Sequence, residues 1–134
     1  METKLELGQT WTHKFSFSQQ EVNEFAKVTG DSNPLHLDAA YAAQTAFKKP
    51  IIHGMLGASV FSKVFGTIMP GPKSIYLSQT LEFKKAMLVE TQYLAEFKVI
   101  EALPEKKRIK IQTRVLTLES KEILIDGEAW LRIR

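Results

Sequence analysis

Cysteine is absent from the chain, so disulfides, thiolate nucleophiles and thiolate metal sites are all excluded. That absence suits a reducing compartment and points to a cytoplasmic protein. Long apolar runs are missing too. The most apolar stretch, residues 54–69, is short for a bilayer span and carries Lys63 in its interior. It reads as a core helix of a soluble protein. Residues 1–12 alternate charged and apolar side chains and lack the unbroken apolar segment of a secretory signal. The sequence also lacks repeats, linkers and low-complexity tracts.

Concentrated charge is scarce. The net charge is +3, but the basic residues are scattered apart from Lys48-Lys49, Lys84-Lys85 and Lys106-Lys107-Arg108. None of these groups is interleaved with aromatics, which argues against a nucleic-acid groove. Two readings of the basic balance remain: an ordinary solvated surface, or a field that draws in an anionic ligand.

What is present is an ordinary globular composition, with 44% hydrophobic and 25% charged residues. A chain of 134 residues fits one domain, spanning 1–134, with one modest core. A deep pocket in so short a chain is often completed by a second subunit, so a homodimer is expected.

The pattern along the chain is mixed. Residues 10–17 alternate, with Trp11, His13, Phe15 and Phe17 on one side, and read as a strand. Ser18 followed by Glu21 forms a capping-box signature. The helix it opens carries Val22, Phe25, Ala26 and Thr29 at helical spacing, and Gly30 supplies a stop. Residues 31–34 are turn chemistry, and Asp38 is placed to cap a short helix over 39–43. A helix should run from Gly54 to about Ile68, with Met55, Leu56, Ala58, Val60, Phe61, Val64, Phe65 and Ile68 covering most of its circumference. Such a helix is buried nearly all round. Pro70-Gly71-Pro72 ends it. Residues 74–83, 91–102, 108–118 and 123–133 read as strands, with a turn at 104–107. An α+β fold follows: an antiparallel sheet wrapped around one central helix, the arrangement known as the hotdog.

Few residues are able to carry acid–base chemistry. Only three histidines occur. His13 lies in a strand without an acidic sequence neighbour and reads as structural or exposed. Asp31 and His36 stand five residues apart across Asn33-Pro34. A loop of this kind brings a carboxylate and an imidazole onto one small reactant, one taking a proton and the other giving one. Equally, it describes a helix-capping turn with a satisfied histidine. Pro50-Ile51-Ile52-His53-Gly54-Met55 ends on the glycine that opens the central helix. Amides there lack intrahelical acceptors and sit at the positive end of the dipole. They suit a developing oxyanion, although a glycine at that place also serves close packing. Asp31, His36 and His53 are ligand types that zinc accepts, but their spacing matches no zinc motif. Ser59 and Ser62 lie inside the helix without a glycine-flanked nucleophile elbow. Ser62, two turns from Gly54, either reaches Asp31 or the substrate, or bonds its own helix carbonyl.

The segment Thr29-Gly30-Asp31-Ser32-Asn33-Pro34-Leu35-His36-Leu37-Asp38, followed by Pro50 to Met55, resembles the (R)-specific enoyl-CoA hydratases, also called MaoC-like or type 2 hydratases. The similarity extends over nearly the whole chain, including residues 71–83. The resemblance implies a hotdog homodimer that reversibly hydrates trans-2-enoyl-CoA to (R)-3-hydroxyacyl-CoA. It implies Asp31 and His36 as the catalytic pair and the Gly54 amide as oxyanion donor. Asn33 would support the loop near the acyl chain, with His53 and Ser62 in the substrate site. No metal or redox cofactor is required, because the thioester itself makes C3 electrophilic, and coenzyme A enters as part of the substrate. Phe65 and Trp130 would shorten the acyl tunnel if they line it; ordinary core packing is the other reading. A 3-hydroxyacyl carrier-protein dehydratase, a hotdog thioesterase and a non-catalytic acyl-CoA binder are the alternatives. The pathway, whether fatty acid synthesis, β-oxidation or polyester precursor supply, stays open.

Overall fold

The computed structural model describes residues 5–134, so the first four residues of the alternating 1–12 stretch lie outside it. Strand β1, Thr10–Phe15, stops short of the expected residue 17. The reason is local: the Phe17 carbonyl accepts from the Glu90 amide at 2.8 Å, outside the ladder. Ser18 then opens helix α1, Gln19–Thr29, with both capping-box bonds formed. Val22 and Ala26 are its buried face, and Gly30, at φ 80°, closes it.

The next segment holds an element the sequence pattern missed. Residues 34–37 form a single helical turn, α2 (Pro34–Leu37), with Pro34 at its first position. Asn33 caps it, its Oδ1 accepting from the Leu35 amide at 3.0 Å. Asp38 ends α2 and caps α3, Ala39–Ala43. The central helix α4 spans Gly54–Thr67.

The sheet is antiparallel and six-stranded, in the order β1-β4-β5-β6-β2, with β3 also on β6. Its remaining members are β2 (Ser74–Gln79), β3 (Glu82–Phe83), β4 (Tyr93–Leu103), β5 (Arg108–Thr117) and β6 (Ile123–Ile133). The single strand expected over 74–83 is split at Thr80-Leu81, where the Thr80 carbonyl closes on Gly127, and a separate register shift against β6 falls inside β2 between Tyr76 and Ser78. A short 3-10 turn, Pro104–Lys106, joins β4 to β5.

α4 lies in the concave face of this sheet. Phe61 and Phe65 meet Phe97 of β4 edge-on, with centroids 5.9 and 5.3 Å apart. All three are buried, so truncating any one to alanine should cost about 3–5 kcal/mol. This is the hotdog architecture expected from the pattern.

One expectation needs correcting. α4 is not buried all round within the chain. Met55, Ser59, Ser62 and Gly66 are exposed, and their spacing forms one stripe along the helix. β2 is an edge strand of the sheet. Ile75, Tyr76 and Leu77 on that edge are themselves 36–41% exposed. Among the described residues, no helix is long and apolar enough to cross a membrane.

Candidate active site

The site forms where three connections converge on the start of α4. The loop after α1 carries Asp31, α2 carries His36, and residues 51–53 lead into Gly54. Backbone bonds fasten them together. The Ile51 amide donates to Leu35 O at 3.2 Å, and the Gln19 side chain donates to His36 O at 2.8 Å. The Asp31 amide donates to Thr29 Oγ1 at 3.2 Å.

The two histidines are set by main-chain carbonyls. His36 Nδ1 lies 2.8 Å from Ile51 O, and a carbonyl only accepts, so Nδ1 carries the proton. His36 Nε2 is then the nitrogen free to meet a reactant. His53 is 2% exposed and donates from Nε2 to Asp31 O at 2.9 Å. Its Nδ1 is buried without a partner among the described residues. The two rings stack, with centroids 3.8 Å apart and planes 27° from parallel. Phe25 of α1 covers the other side of His53 at 4.8 Å.

Asp31, His36 and His53 each place one ligand-type atom within 4.8 Å of the other two. Stacking, however, aims the in-plane lone pairs of the two rings side by side. The nitrogens that hold no carbonyl are His36 Nε2 and His53 Nδ1. The same spacing suits a water bridging carboxylate and imidazole, each hydrogen bond spanning about 2.8 Å.

Gly54 completes the arrangement. His53, the residue before α4, makes no side-chain cap bond, so the first amides of the helix stay available. A Cβ on Gly54 would lie 2.8 Å from Phe83 Cε1, so glycine is required for that ring to lie over the helix start. A cavity of about 480 Å³ opens here, bringing Asp31, His36, His53 and Gly54 to one space.

Other residues named from the sequence lie elsewhere within the chain. Asn33 is exposed and spends its side chain on the α2 cap. Ser62 lies on the exposed stripe of α4. Phe65 packs in the core against Tyr76 and Phe97. Trp130 alternates with the buried Ala129 and Leu131, so its ring lies on the outer face of the sheet, 5.7 Å from Lys110 Nζ. Neither Phe65 nor Trp130 lines the cavity. Its apolar walls are Phe47, Met55, Phe83, Met87 and Ile125, with Lys84 and Lys85 beside them. Sequence reasoning passed over Phe83 and Met87. They lie on the connection from β2 to β4, whose contact with α4 is purely tertiary.

The MaoC-like domain model matches residues 2–121. The chain belongs to the MaoC-like family. This MaoC-like domain is 42% identical to an (R)-specific enoyl-CoA hydratase of Aeromonas caviae over 129 residues, 96% of each chain. It is 36% identical to a 3-hydroxybutyryl-CoA dehydratase of Methylorubrum extorquens over 129 residues, 96% of this chain and 81% of that one. Its fold superposes on the structure of the (R)-hydratase from A. caviae involved in PHA biosynthesis with a TM-score of 0.92, covering 97% of this chain and 98% of that one at 42% identity. Both relatives are named for adding or removing water.

Proposed function

We propose that this MaoC-like domain is an (R)-specific enoyl-CoA hydratase, a hydro-lyase that interconverts trans-2-enoyl-CoA and (R)-3-hydroxyacyl-CoA. The observation that carries the reading is the meeting of Asp31, His36 and the Gly54 helix start on one cavity. A passive binder has no need of a carboxylate–imidazole pair, and a thioesterase would release free thiol, which hydration does not. The relatives' names support the same class of reaction.

The chemistry follows from the donors and acceptors. The thioester carbonyl points at the first amides of α4, where charge develops as C3 is attacked. Asp31 takes a proton from water while the oxygen bonds to C3. That proton passes from Asp31 to His36 Nε2, which delivers it to C2 and leaves the pair as it began. One water is consumed, with its hydroxyl on C3 and a hydrogen on C2. His36 Nδ1–H stays on Ile51 O throughout, so the ring exchanges protons at one nitrogen only.

The proposal extends to a homodimer in a cytoplasmic setting. The exposed stripe of α4 and the edge strand β2 support the homodimer: together they present Met55, Ile75, Tyr76 and Leu77 at the surface.

The test is turnover of crotonyl-CoA, followed by loss of the conjugated thioester absorbance, with the product's configuration determined. Hydration to the (R) product is expected. Absence of turnover, or an (S) product, overturns the reading. Running the same assay with a carrier-protein thioester separates the hydratase from a carrier-protein dehydratase.

A further inference from the structure

One flexible side chain in the cavity wall, Met87, is seated in a notch of the central helix. Gly54 and Gly57 are three residues apart and share one side of α4. Phe83 covers the first. The second receives Met87: a Cβ on Gly57 would lie 1.8 Å from Met87 Cε, 3.3 Å from its Sδ and 3.4 Å from Ile125 Cδ1. Met87 is 2% exposed, yet it lines the same cavity as Asp31 and His36. Its main chain is fixed, because Met87 O accepts from the Ile52 amide at 2.8 Å, one residue before His53. Leu88, the next residue, bridges to Ile51. The backbone beneath the methionine is therefore tied to the segment that carries the catalytic geometry. The thioether end remains the adjustable part, with three rotatable bonds and soft packing.

We propose that Met87 is the residue that sets the depth of the acyl pocket, and that Gly57 is the seat that holds it in place. This rests on the hydratase reading. The bottom of the cavity, where Met87 meets Ile125, is apolar, as the tail of an enoyl chain requires. With Met87 in the Gly57 notch the floor closes close to the catalytic pair, which favours short enoyl chains. Truncation to alanine removes three heavy atoms from the floor and opens room for about as many chain carbons. A Cβ on Gly57 does the opposite: it evicts the methionine methyl from its seat and drives it into the cavity.

The experiment compares kcat/KM for butenoyl-CoA and octenoyl-CoA in the wild-type protein, Met87→Ala, Gly57→Ala and the double variant. The octenoyl-to-butenoyl ratio should rise roughly tenfold in Met87→Ala, since each added methylene that finds apolar cover contributes a several-fold gain. It should fall in Gly57→Ala. In the double variant the Gly57 effect should vanish, because the atom it displaces is gone; such non-additivity is the mark of contact. Met87→Leu, which conserves volume, should hold the wild-type ratio and shows whether packing alone has changed. Thermal melts accompany each variant. If Met87→Ala does not fold, Gly57→Ala against the wild type decides. An unchanged ratio in the folded variants, with the wild type active on butenoyl-CoA, overturns the proposal. A wild type inactive on every enoyl-CoA overturns the hydratase reading instead.

Discussion

His36 and His53 stack face to face, 3.8 Å between ring centroids, and each ring donates one N–H to a main-chain carbonyl of the other's segment. His36 holds Ile51, two residues before His53. His53 holds Asp31, five residues before His36. The site is thus a reciprocal clasp between two loops. Its bonds run from ring N–H groups to main-chain carbonyls, which leaves the Asp31 carboxylate and His36 Nε2 out of the clasp.

The clasp predicts a division of labour at His53. His53→Phe keeps a ring against His36 but loses the bond to Asp31 O. The expected loss in kcat is about tenfold, the scale of one buried hydrogen bond, with KM little moved. His53→Gln keeps a donor near the Nε2 position but loses the ring, and should recover part of that rate. Steady-state kinetics of the two variants check this. If both equal the wild type, the clasp does not position Asp31.

Asp31 itself should behave differently. Its carboxylate is exposed, and the bonds that place it use its amide and carbonyl. Asp31→Asn therefore should leave the melting temperature within a degree or two of the wild type. The rate should fall by about 10²–10⁴, the range typical of general acid–base groups. Crotonyl-CoA turnover beside a thermal melt tests both halves. An active Asp31→Asn protein would remove this residue from the role of base.

Much of this was legible beforehand, for identifiable reasons. Period-two alternation in residues 108–117 and the capping box at Ser18 and Glu21 are local signals, and the structure follows them. Asp31, His36 and Gly54 were readable because their residue types and spacing are themselves chemical. The helical turn α2 was hidden, since Asn33-Pro34 reads equally as a turn and as a cap followed by a first-position proline. The acyl floor was hidden more deeply. Phe65 and Trp130 are large and lie near helix or strand positions that look inward on paper. Sheet alternation turns Trp130 outward, and Phe97 and Tyr76 enclose Phe65. Met87 has no sequence pattern to announce it, because what places it is a glycine thirty residues away.

Asn33 gives a prediction about stability. Its side chain accepts from the Leu35 amide, so Asn33→Ala should cost about 1 kcal/mol. For a chain of this size that lowers the melting temperature by about 3–5 °C. Asn33→Asp restores an acceptor at the same place and should hold the wild-type melting temperature. A direct substrate contact would give the reverse pattern: unchanged melting and a raised KM in Asn33→Ala. Calorimetry and kinetics on both variants separate the two.

The edge strand supplies the last prediction. β2 pairs with β6 on one side and has no neighbour on the other within the described chain. An edge with Ile75, Tyr76 and Leu77 more than a third exposed is a liability unless another copy covers it. Light scattering should give twice the 15.2 kDa chain mass for the wild type. Leu77→Lys places a charge on that edge and should shift the protein to the monomer at micromolar concentration. The His36–His53 clasp lies within one chain, so the monomer should retain it while losing the cover over the α4 stripe. Its KM should rise more than its kcat falls. A monomeric wild type would overturn the dimer, and a Leu77→Lys protein that stays dimeric would place the contact elsewhere.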